Sequence, residues 1–219
     1  MATLLLRLSG PMQAWGATSR FDERDSGLEP SKSGVLGMVC AALGGDRSEP
    51  IHDLAAMQMW VGVDREGVLL RDHQTATGVM LASGKVDQKP YGNQPRFYLA
   101  DATFLVAFEG DRYMLEGIQK ALRSPVWPTE LGRESMPPGE PVGLSEGVHD
   151  QPLGNLLRSY PKTARGRCED REEPVRLLLE DALEGVVPID QPLHPFAERR
   201  FGPRFVREET LNVSIEAVN

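Results

Sequence analysis

A run of five polar residues follows an apolar, strand-like stretch and could serve either binding or catalysis. Metal-free cleavage of RNA by general acid–base chemistry needs a second positioned group beside a histidine, such as another His, a Lys or a Tyr. Lys89 and Tyr91 lie in the segment that follows. An enzymatic role therefore stays open beside a binding role. The run consists of Arg71, Asp72, His73, Gln74 and Thr75.

The segment Gly10–Gly16 combines a Gly-Pro turn with two side chains that suit nucleic acid. Gln13 can hydrogen-bond the edge of a base. Trp15 offers a stacking face worth about 1–3 kcal/mol per base. The alternative is that Trp15 closes the end of the core beneath the turn, and the residues alone favour this structural interpretation.

Two further segments could hold phosphate groups. Pro30–Gly34 precedes a predicted helix, whose free N–H groups attract anions, and Lys32 adds a positive charge. An ordinary helix cap explains the same segment. Gly132 would let the backbone approach a phosphate closely while Arg133 binds it through two N–H groups. The alternative for this pair is an exposed turn.

The sequence predicts no metal site and no cofactor. The four histidines are scattered, and neither cysteine has a partner at the spacing that zinc sites use. The stretch Gly34–Gly37 is not a Walker loop, and the chain contains no Gly-x-Gly-x-x-Gly. Glycines in an apolar helix more often permit close packing on a sheet.

The overall charge argues against a free nucleic-acid binder, although two segments are locally basic. The net charge is −8, whereas most nucleic-acid-binding domains are basic. Residues 158–167 contain four basic side chains and no acidic one, and residues 196–207 contain four against one Glu. Solvated faces explain both runs equally well. We therefore expect the isolated chain to bind RNA weakly and with a strong dependence on salt.

The composition is that of an ordinary globular protein, with 40% hydrophobic and 26% charged residues. The first residues lack the basic start and the cleavage site of a secretory signal, and no apolar run approaches the roughly 18 residues of a membrane helix. Cys40 lies in an apolar stretch and Cys168 lies among charges. We therefore expect no disulfide framework, no membrane contact and a cytoplasmic location.

Periodicity predicts the order β-α-β-β-α-β for the first two thirds of the chain. This order is that of the ferredoxin-like split βαβ fold, which RNA-recognition domains share. A turn at residues 64–67 predicts a hairpin between the second strand and the residues after it. The predicted elements are a strand over 3–9, a helix from Ser31 or Ser33 to Leu43, a strand over 57–63 with its hairpin partner over 68–71, a strand over 97–108, a helix over 111–123 and a strand near 142–144.

Two regions fall outside this order. Residues 76–96 are rich in Gly, Lys, Gln, Asn and Pro and poor in apolar anchors, which is typical of a functional loop. After about residue 150, strand-like segments such as 175–179 and 211–218 are separated by prolines. We predict a main domain over 1–148 with an insertion at about 72–97, and a small, mostly β region over 149–219.

Five motifs occur in a fixed order over residues 4–138, and their joint occurrence is more specific than any one of them. The motifs are Leu6–Gly16, Pro30–Gly37, Leu70–Thr75, Tyr98–Phe104 and Leu131–Arg133. Together they resemble the CasD-type subunits of the type I-E CRISPR Cascade complex, which are repeat-associated (RAMP) proteins. The C-terminal third resembles this family only loosely.

The resemblance implies an α+β fold, with a ferredoxin-like (RRM-like) domain, a protruding β-hairpin called the thumb, and a small C-terminal β region. It also implies a non-catalytic subunit that caps the 5′ handle of the CRISPR RNA. The implied protein partners are the Cascade backbone subunit and the large subunit that reads the PAM. Target DNA would be contacted only indirectly, through the complex.

The same resemblance implies a set of RNA-binding residues in this chain. One departure is that the family pattern places an aromatic residue and then His after Asp72, whereas here His73 is followed by Gln74. Lys32, in place of Arg, keeps the charge but not the bidentate geometry. The implied residues are Gln13, Trp15, Lys32, Ser33, Gly34, Arg71, Asp72, His73, Gln74, Thr75, Arg96, Gly132 and Arg133.

Two alternative functions remain open. A metal-independent endoribonuclease that processes CRISPR precursor RNA, as in type I-C relatives, would need a constellation of Tyr, Lys or His. A general RNA-recognition protein would bind unrelated single strands tightly. This second alternative lacks support from aromatic stacking residues, because Phe104 and Phe108 are predicted to face the core.

Overall fold

The computed structural model of the chain describes residues 1–16, 24–89, 91–160 and 174–211, with the backbone alone at 91–93. Three predicted features therefore lie outside the described residues: Cys168, the basic run beyond Tyr160, and the strand over 211–218 beyond Leu211. The described parts contain α-helices and antiparallel strands, so the α+β class is confirmed. No helix in these parts is long and apolar enough to cross a membrane.

The described residues form four α-helices, one 3-10 turn and thirteen strands. The helices are α1 (Lys32–Leu43), α2 (His52–Ala56), α3 (Arg112–Arg123) and α4 (Leu153–Ser159), and one 3-10 turn covers Phe196–Glu198. The strands are β1 (Ala2–Ser9), β2 (Met12–Gln13), β3 (Gln58–Arg65), β4 (Val68–Ala76), β5 (Val79–Met80), β6 (Val86–Asp87), β7 (Tyr91–Ala100), β8 (Thr103–Gly110), β9 (Gly143–His149), β10 (Val175–Asp181), β11 (Gln191–Pro192), β12 (Phe201–Gly202) and β13 (Phe205–Leu211).

A six-stranded antiparallel sheet with the order β13-β10-β3-β8-β1-β9 forms the centre of the molecule. Four strands of this sheet and two helices follow the chain order β-α-β-β-α-β, with other elements between them. They are β1, α1, β3, β8, α3 and β9. The last two strands extend the sheet beyond β3, because β10 pairs with β3 from Arg176↔Val63 to Leu179↔Trp60. The domain boundary near residue 148 stays a prediction.

Both faces of this sheet are buried, which explains the three consecutive leucines of β1. Leu4 and Leu6 belong to the larger core, which includes residues of α1 and α3. Leu5 points to the opposite face and packs in a second cluster with residues of α4 and β10, including Leu156 and Leu177. A strand covered on both sides loses the alternation of apolar and polar residues.

The predicted hairpin between β3 and β4 is wrong. Strand β4 pairs with β7 instead, from Val68↔Ala100 to Ala76↔Tyr91. Both edges of β3 are occupied by β8 and β10, so β4 has no place beside it. We call the β4–β7 hairpin the thumb; its paired strands begin at Val68, and the short strands β5 and β6 pair toward its tip. The insertion at about 72–97 stays a prediction.

The strand predicted over 97–108 is in fact two strands. Asp101 has φ 56, in the left-handed region that ends an extended strand. Its N–H donates to the Pro11 carbonyl at 3.2 Å. The chain therefore leaves the thumb at Ala100 and enters the central sheet at Thr103.

Helix α1 begins and ends as its sequence predicts. Ser31 is the N-cap, and its hydroxyl accepts the N–H of Gly34. Gly44 ends the helix in the left-handed conformation. This helix packs against α3 and presents one of its sides to the groove described below.

Candidate nucleic-acid interface

Gln13 and Trp15 form the buried underside of the turn that leaves β1. Gln13 Nε2 donates to the carbonyls of Leu8 at 3.2 Å and Ala102 at 2.8 Å, and Gln13 Oε1 accepts from Trp15 Nε1 at 3.0 Å. The Trp15 side chain is 2% exposed, so its ring closes the core beneath the turn. Neither side chain offers a surface to a base, and RNA contact by the backbone of this turn stays a prediction.

The predicted phosphate ligand Lys32 lies in a buried ion pair. Its Nζ donates to Glu180 Oε1 at 2.9 Å and Oε2 at 3.2 Å, and its side chain is 2% exposed. Glu180 also accepts the N–H of Met59 at 2.7 Å. Burial lowers the pKa of the Lys32 ammonium group, although Glu180 acts in the opposite direction. A phosphate could reach this group only by displacing Glu180, so the geometry counts against the predicted role.

The N–H groups at the start of α1 are also occupied by the chain itself. The carboxylate of Asp190 accepts the N–H of Lys32 at 2.8 Å, and the Asp190 carbonyl accepts that of Ser33 at 3.1 Å. Ser31 Oγ accepts the N–H of Gly34 at 3.3 Å. This helix end would otherwise attract an anion, and Asp190 supplies one. Phosphate binding by Ser33 and Gly34 therefore stays a prediction without a free donor to support it.

The polar run of β4 is divided between the two faces of the thumb, because successive strand residues point in opposite directions. Asp72 and Gln74 share one face, where Gln74 Nε2 donates to Asp72 Oδ2 at 2.8 Å. Arg96, which is paired with Asp72 in the register of β7, shares this face. The run cannot act as a single cluster, because the other face carries Arg71, His73 and Thr75.

Arg24 and Arg96 meet at the base of the thumb. The backbone of Arg24 pairs alongside β7, where its N–H donates to the Pro95 carbonyl at 3.0 Å and its carbonyl accepts from Phe97 at 2.8 Å. The Arg24 side chain is exposed. Arg96 Nε is buried without a hydrogen-bond partner among the described residues. The backbones of two arginines from distant parts of the sequence are thereby brought side by side.

Arg133 completes a group that we call the arginine cluster, which consists of Arg24, Arg96 and Arg133. Arg133 Nη2 donates to the carbonyls of Arg24 at 3.2 Å and Asp25 at 3.1 Å. Burial, followed by the positive charges of Arg96 and Arg24, lowers the pKa of the Arg133 guanidinium, and Asp25 acts in the opposite direction. Among the described residues, Arg133 therefore lies near two other arginines and near one carboxylate, that of Asp25.

Gly132 fixes the position of the neighbouring Arg133. Its φ is +92°, and a Cβ at this residue would overlap the Ala14 carbonyl oxygen. The N–H of Ala14 donates to the Leu131 carbonyl at 2.9 Å. The loop therefore lies directly on the turn after β1, and only glycine permits this close approach.

An open groove of about 810 Å³ runs beside the arginine cluster along one side of α1. Three of the predicted residues line it, namely Ser33, Gly34 and Gly132. Sequence reasoning missed three further lining residues that can bind nucleic acid, because a single arginine or tryptophan in a loop carries no pattern. These are Arg24, Arg47 and Trp127. Arg199, from the locally basic run over 196–207, also lines the groove.

Comparisons with known proteins agree on one family. A family model described as CRISPR-associated protein (Cas_Cas5) matches residues 3–207. The CRISPR system Cascade subunit CasD of Escherichia coli (strain K12) is 31% identical over 172 residues, which cover 72% of this chain and 77% of that protein.

Solved structures give the same result. The crystal structure of a Cas protein is 47% identical with a TM-score of 0.78, and the match covers 96% of this chain and 95% of the other. A chain of a CRISPR RNA-guided surveillance complex is 36% identical with a TM-score of 0.82, covering 96% and 90%. The resemblance inferred from the motifs is therefore confirmed, and the chain belongs to the Cas5 family of CRISPR-associated proteins.

Proposed function

We propose that this chain is the subunit of a type I-E Cascade complex that binds the CRISPR RNA at its 5′ handle. The RNA backbone lies in the groove beside α1, and the arginine cluster neutralises its phosphates. The cluster is the observation that carries this proposal, because the chain as a whole has a net charge of −8. The CasD relative and the surveillance-complex structure support the assignment to Cascade.

Among the described residues, the arginine cluster places Arg133 near two further positive charges and near the carboxylate of Asp25. Guanidinium groups bind phosphate oxygens through paired N–H donors. Arg133 is partly buried among carbonyls and other cations, and the lowered pKa of its guanidinium reflects burial and that repulsion. An anion at this position would relieve the repulsion and satisfy the buried Arg96 Nε. The cluster is therefore poised to gain free energy from a phosphate.

The thumb supports a further role in assembly. Its described residues expose several large apolar side chains, among them Val68, Met80 and Val86, which are 62%, 72% and 51% exposed. Exposed apolar surface of this kind marks contacts with other proteins. We propose that the chain contacts the Cascade backbone subunit and the large PAM-reading subunit, and through them contributes to recognition of target DNA.

The proposed role is non-catalytic. Cleavage by His73 would need a second acid or base on the same face of the thumb. The neighbouring Asp72 and Gln74 lie on the opposite face and hydrogen-bond to each other. The division of the polar run therefore favours binding over endoribonuclease activity.

The test is co-expression of the chain with the remaining Cascade subunits and a CRISPR array. We expect the purified complex to contain the chain and intact CRISPR RNA. Arg24→Ala should weaken RNA binding about tenfold, since hydrogen bonds to charged groups contribute about 1.5–3 kcal/mol. Arg112→Ala on the exposed face of α3 is the matched control and should leave RNA binding unchanged.

Two results would contradict the proposal. One is equal RNA binding by the Arg24→Ala and wild-type complexes. The other is cleavage of labelled repeat RNA without metal by the purified chain, lost in His73→Ala, which would establish the endoribonuclease alternative.

A further inference from the structure

Trp127 is an exposed tryptophan held in a fixed position on the wall of the groove. It is 58% exposed, whereas Trp15 is 2% exposed. The backbone N–H of Trp127 donates to the Ala41 carbonyl at 3.1 Å, and the backbone N–H of the preceding Val126 donates to the Ala42 carbonyl at 3.0 Å. The last turn of α1 therefore anchors the loop that presents the indole. A large aromatic face left in solvent on a rigid support is typical of a ligand-binding surface.

The groove around Trp127 carries charged side chains of both signs, unlike the arginine cluster. Two arginines, Arg47 and Arg199, line the groove, and so do three carboxylates, Asp46, Glu49 and Glu130. A surface of mixed charge suits an uncharged ligand that carries both donors and acceptors. A nucleobase has these properties, since its edge presents N–H groups to carboxylates and carbonyl or ring nitrogen atoms to arginines.

Gly37 of α1 lines the groove and contributes no side chain to it. A Cβ on Gly37 would meet no heavy atom within 4 Å, so packing does not require glycine there. Glycine inside a helix costs about 1 kcal/mol relative to alanine. Gly34, in contrast, has a packing reason, because a Cβ there would lie 3.0 Å from Trp15 Cε3. The missing side chain at Gly37 keeps the groove open beside Trp127.

We propose that the Trp127 end of the groove is a base-binding position, where a nucleobase of the CRISPR RNA stacks on the indole. The inference rests on the proposed function, because the same strand must also pass the arginine cluster. The α1 segment from Gly34 to Gly44 extends about 15 Å at 1.5 Å per residue. That length accommodates more than one nucleotide between the phosphate-binding end and the base-binding end.

The test compares Trp127→Ala and Trp127→Phe in the assembled complex, with RNA dissociation constants measured at one salt concentration. Aromatic stacking predicts that Trp127→Ala weakens binding about 5- to 150-fold, while Trp127→Phe keeps most of the affinity. A series of RNAs, each with one abasic nucleotide in the handle, locates the base. For one position in the series, Trp127→Ala should cause no further loss.

A second pair of variants tests whether Gly37 keeps the groove open. Gly37→Leu and Gly117→Leu both replace a glycine inside a helix whose Cβ would meet no neighbour. Both should fold at least as stably as the wild type. Gly37→Leu alone should weaken RNA binding, by about tenfold or more, because its side chain fills the groove.

Three outcomes would overturn the inference. Unchanged affinity in Trp127→Ala while Arg24→Ala weakens binding would remove the base position and leave the proposed function intact. An equal loss with every abasic RNA would exclude stacking. Unchanged RNA affinity of the Trp127→Ala complex, together with loss of another subunit from that complex, would assign the indole to a protein contact. Unchanged affinity in Arg24→Ala would contradict the proposed function and not the base position.

Discussion

The start of α1 and the base of the thumb both present positive charge beside the same groove, but the fold treats the two charges differently. The Lys32 ammonium group donates to Glu180 at 2.9 Å, and the Asp190 carboxylate accepts the backbone N–H of Lys32 at the start of α1. Arg133 has Arg24 and Arg96 as its neighbours and backbone carbonyls as its acceptors. A basic residue is available to a ligand only where the chain does not supply the full counter-charge.

The two regions also differ in what they do for stability. The contacts of Lys32 and Asp190 join α1 to residues roughly 150 positions later in the chain, and so hold the C-terminal strands against the groove-forming helix. The arginine cluster brings like charges together, which opposes folding. We interpret the first region as structural and the second as functional.

The largest effect is expected at the structural region. Asp190→Ala should lower the free energy of unfolding by about 3–5 kcal/mol, because it leaves Arg204 buried without its partner and removes the carboxylate that accepts the Lys32 N–H at the start of α1. Arg204 is 8% exposed and donates to Asp190 through two bonds of 2.9 and 2.8 Å. Urea unfolding of the purified chain measures this change.

The matched control for Asp190→Ala is Glu198→Ala, which removes an exposed carboxylate that lies 3.9 Å from Arg200 Nη1 and 3.5 Å from His194 Nδ1. Its expected effect is below about 0.5 kcal/mol. A loss below about 1 kcal/mol in Asp190→Ala would show that this network does not stabilise the fold.

The two faces of the thumb should differ in their contribution to RNA binding, and this effect is smaller than that of Asp190→Ala. Arg96→Ala should weaken RNA binding about tenfold, because Arg96 belongs to the arginine cluster. Arg71→Ala should change it less than about threefold, since the Arg71 guanidinium lies over the Phe97 ring at 5.6 Å on the other face. Filter binding with the assembled complex measures both. The comparison between faces fails if Arg71→Ala is the more damaging variant.

Local pattern was enough to predict several elements and insufficient for the site. The strand of β1, the Ser31 cap of α1 and the amphipathic α3 follow from local signals, and the structure has all three, although β1 is buried on both faces. The pairing of β4 depends on competition for the edges of β3, which no local pattern reveals.

The same difference between local pattern and long-range contact explains which site residues the sequence could predict. Gln13 and Lys32 have chemistry that suits RNA, but their internal partners, such as Glu180, are far away in sequence. Arg24 lies in a polar loop and is recognisable only by its contact with Arg133, 109 positions later. Resemblance to a family identified the motifs, while the structure showed which of their side chains face the groove.

The most direct test of the central claim is the salt dependence of CRISPR RNA binding by the assembled complex. For single strands, the slope of log affinity against log salt changes by about 0.7 for each phosphate that the protein no longer neutralises. The double variant Arg24→Ala with Arg96→Ala should therefore reduce the slope by about 1.4, while Lys32→Met should leave it unchanged. A reduced slope in Lys32→Met together with an unchanged slope in the double variant would contradict the account.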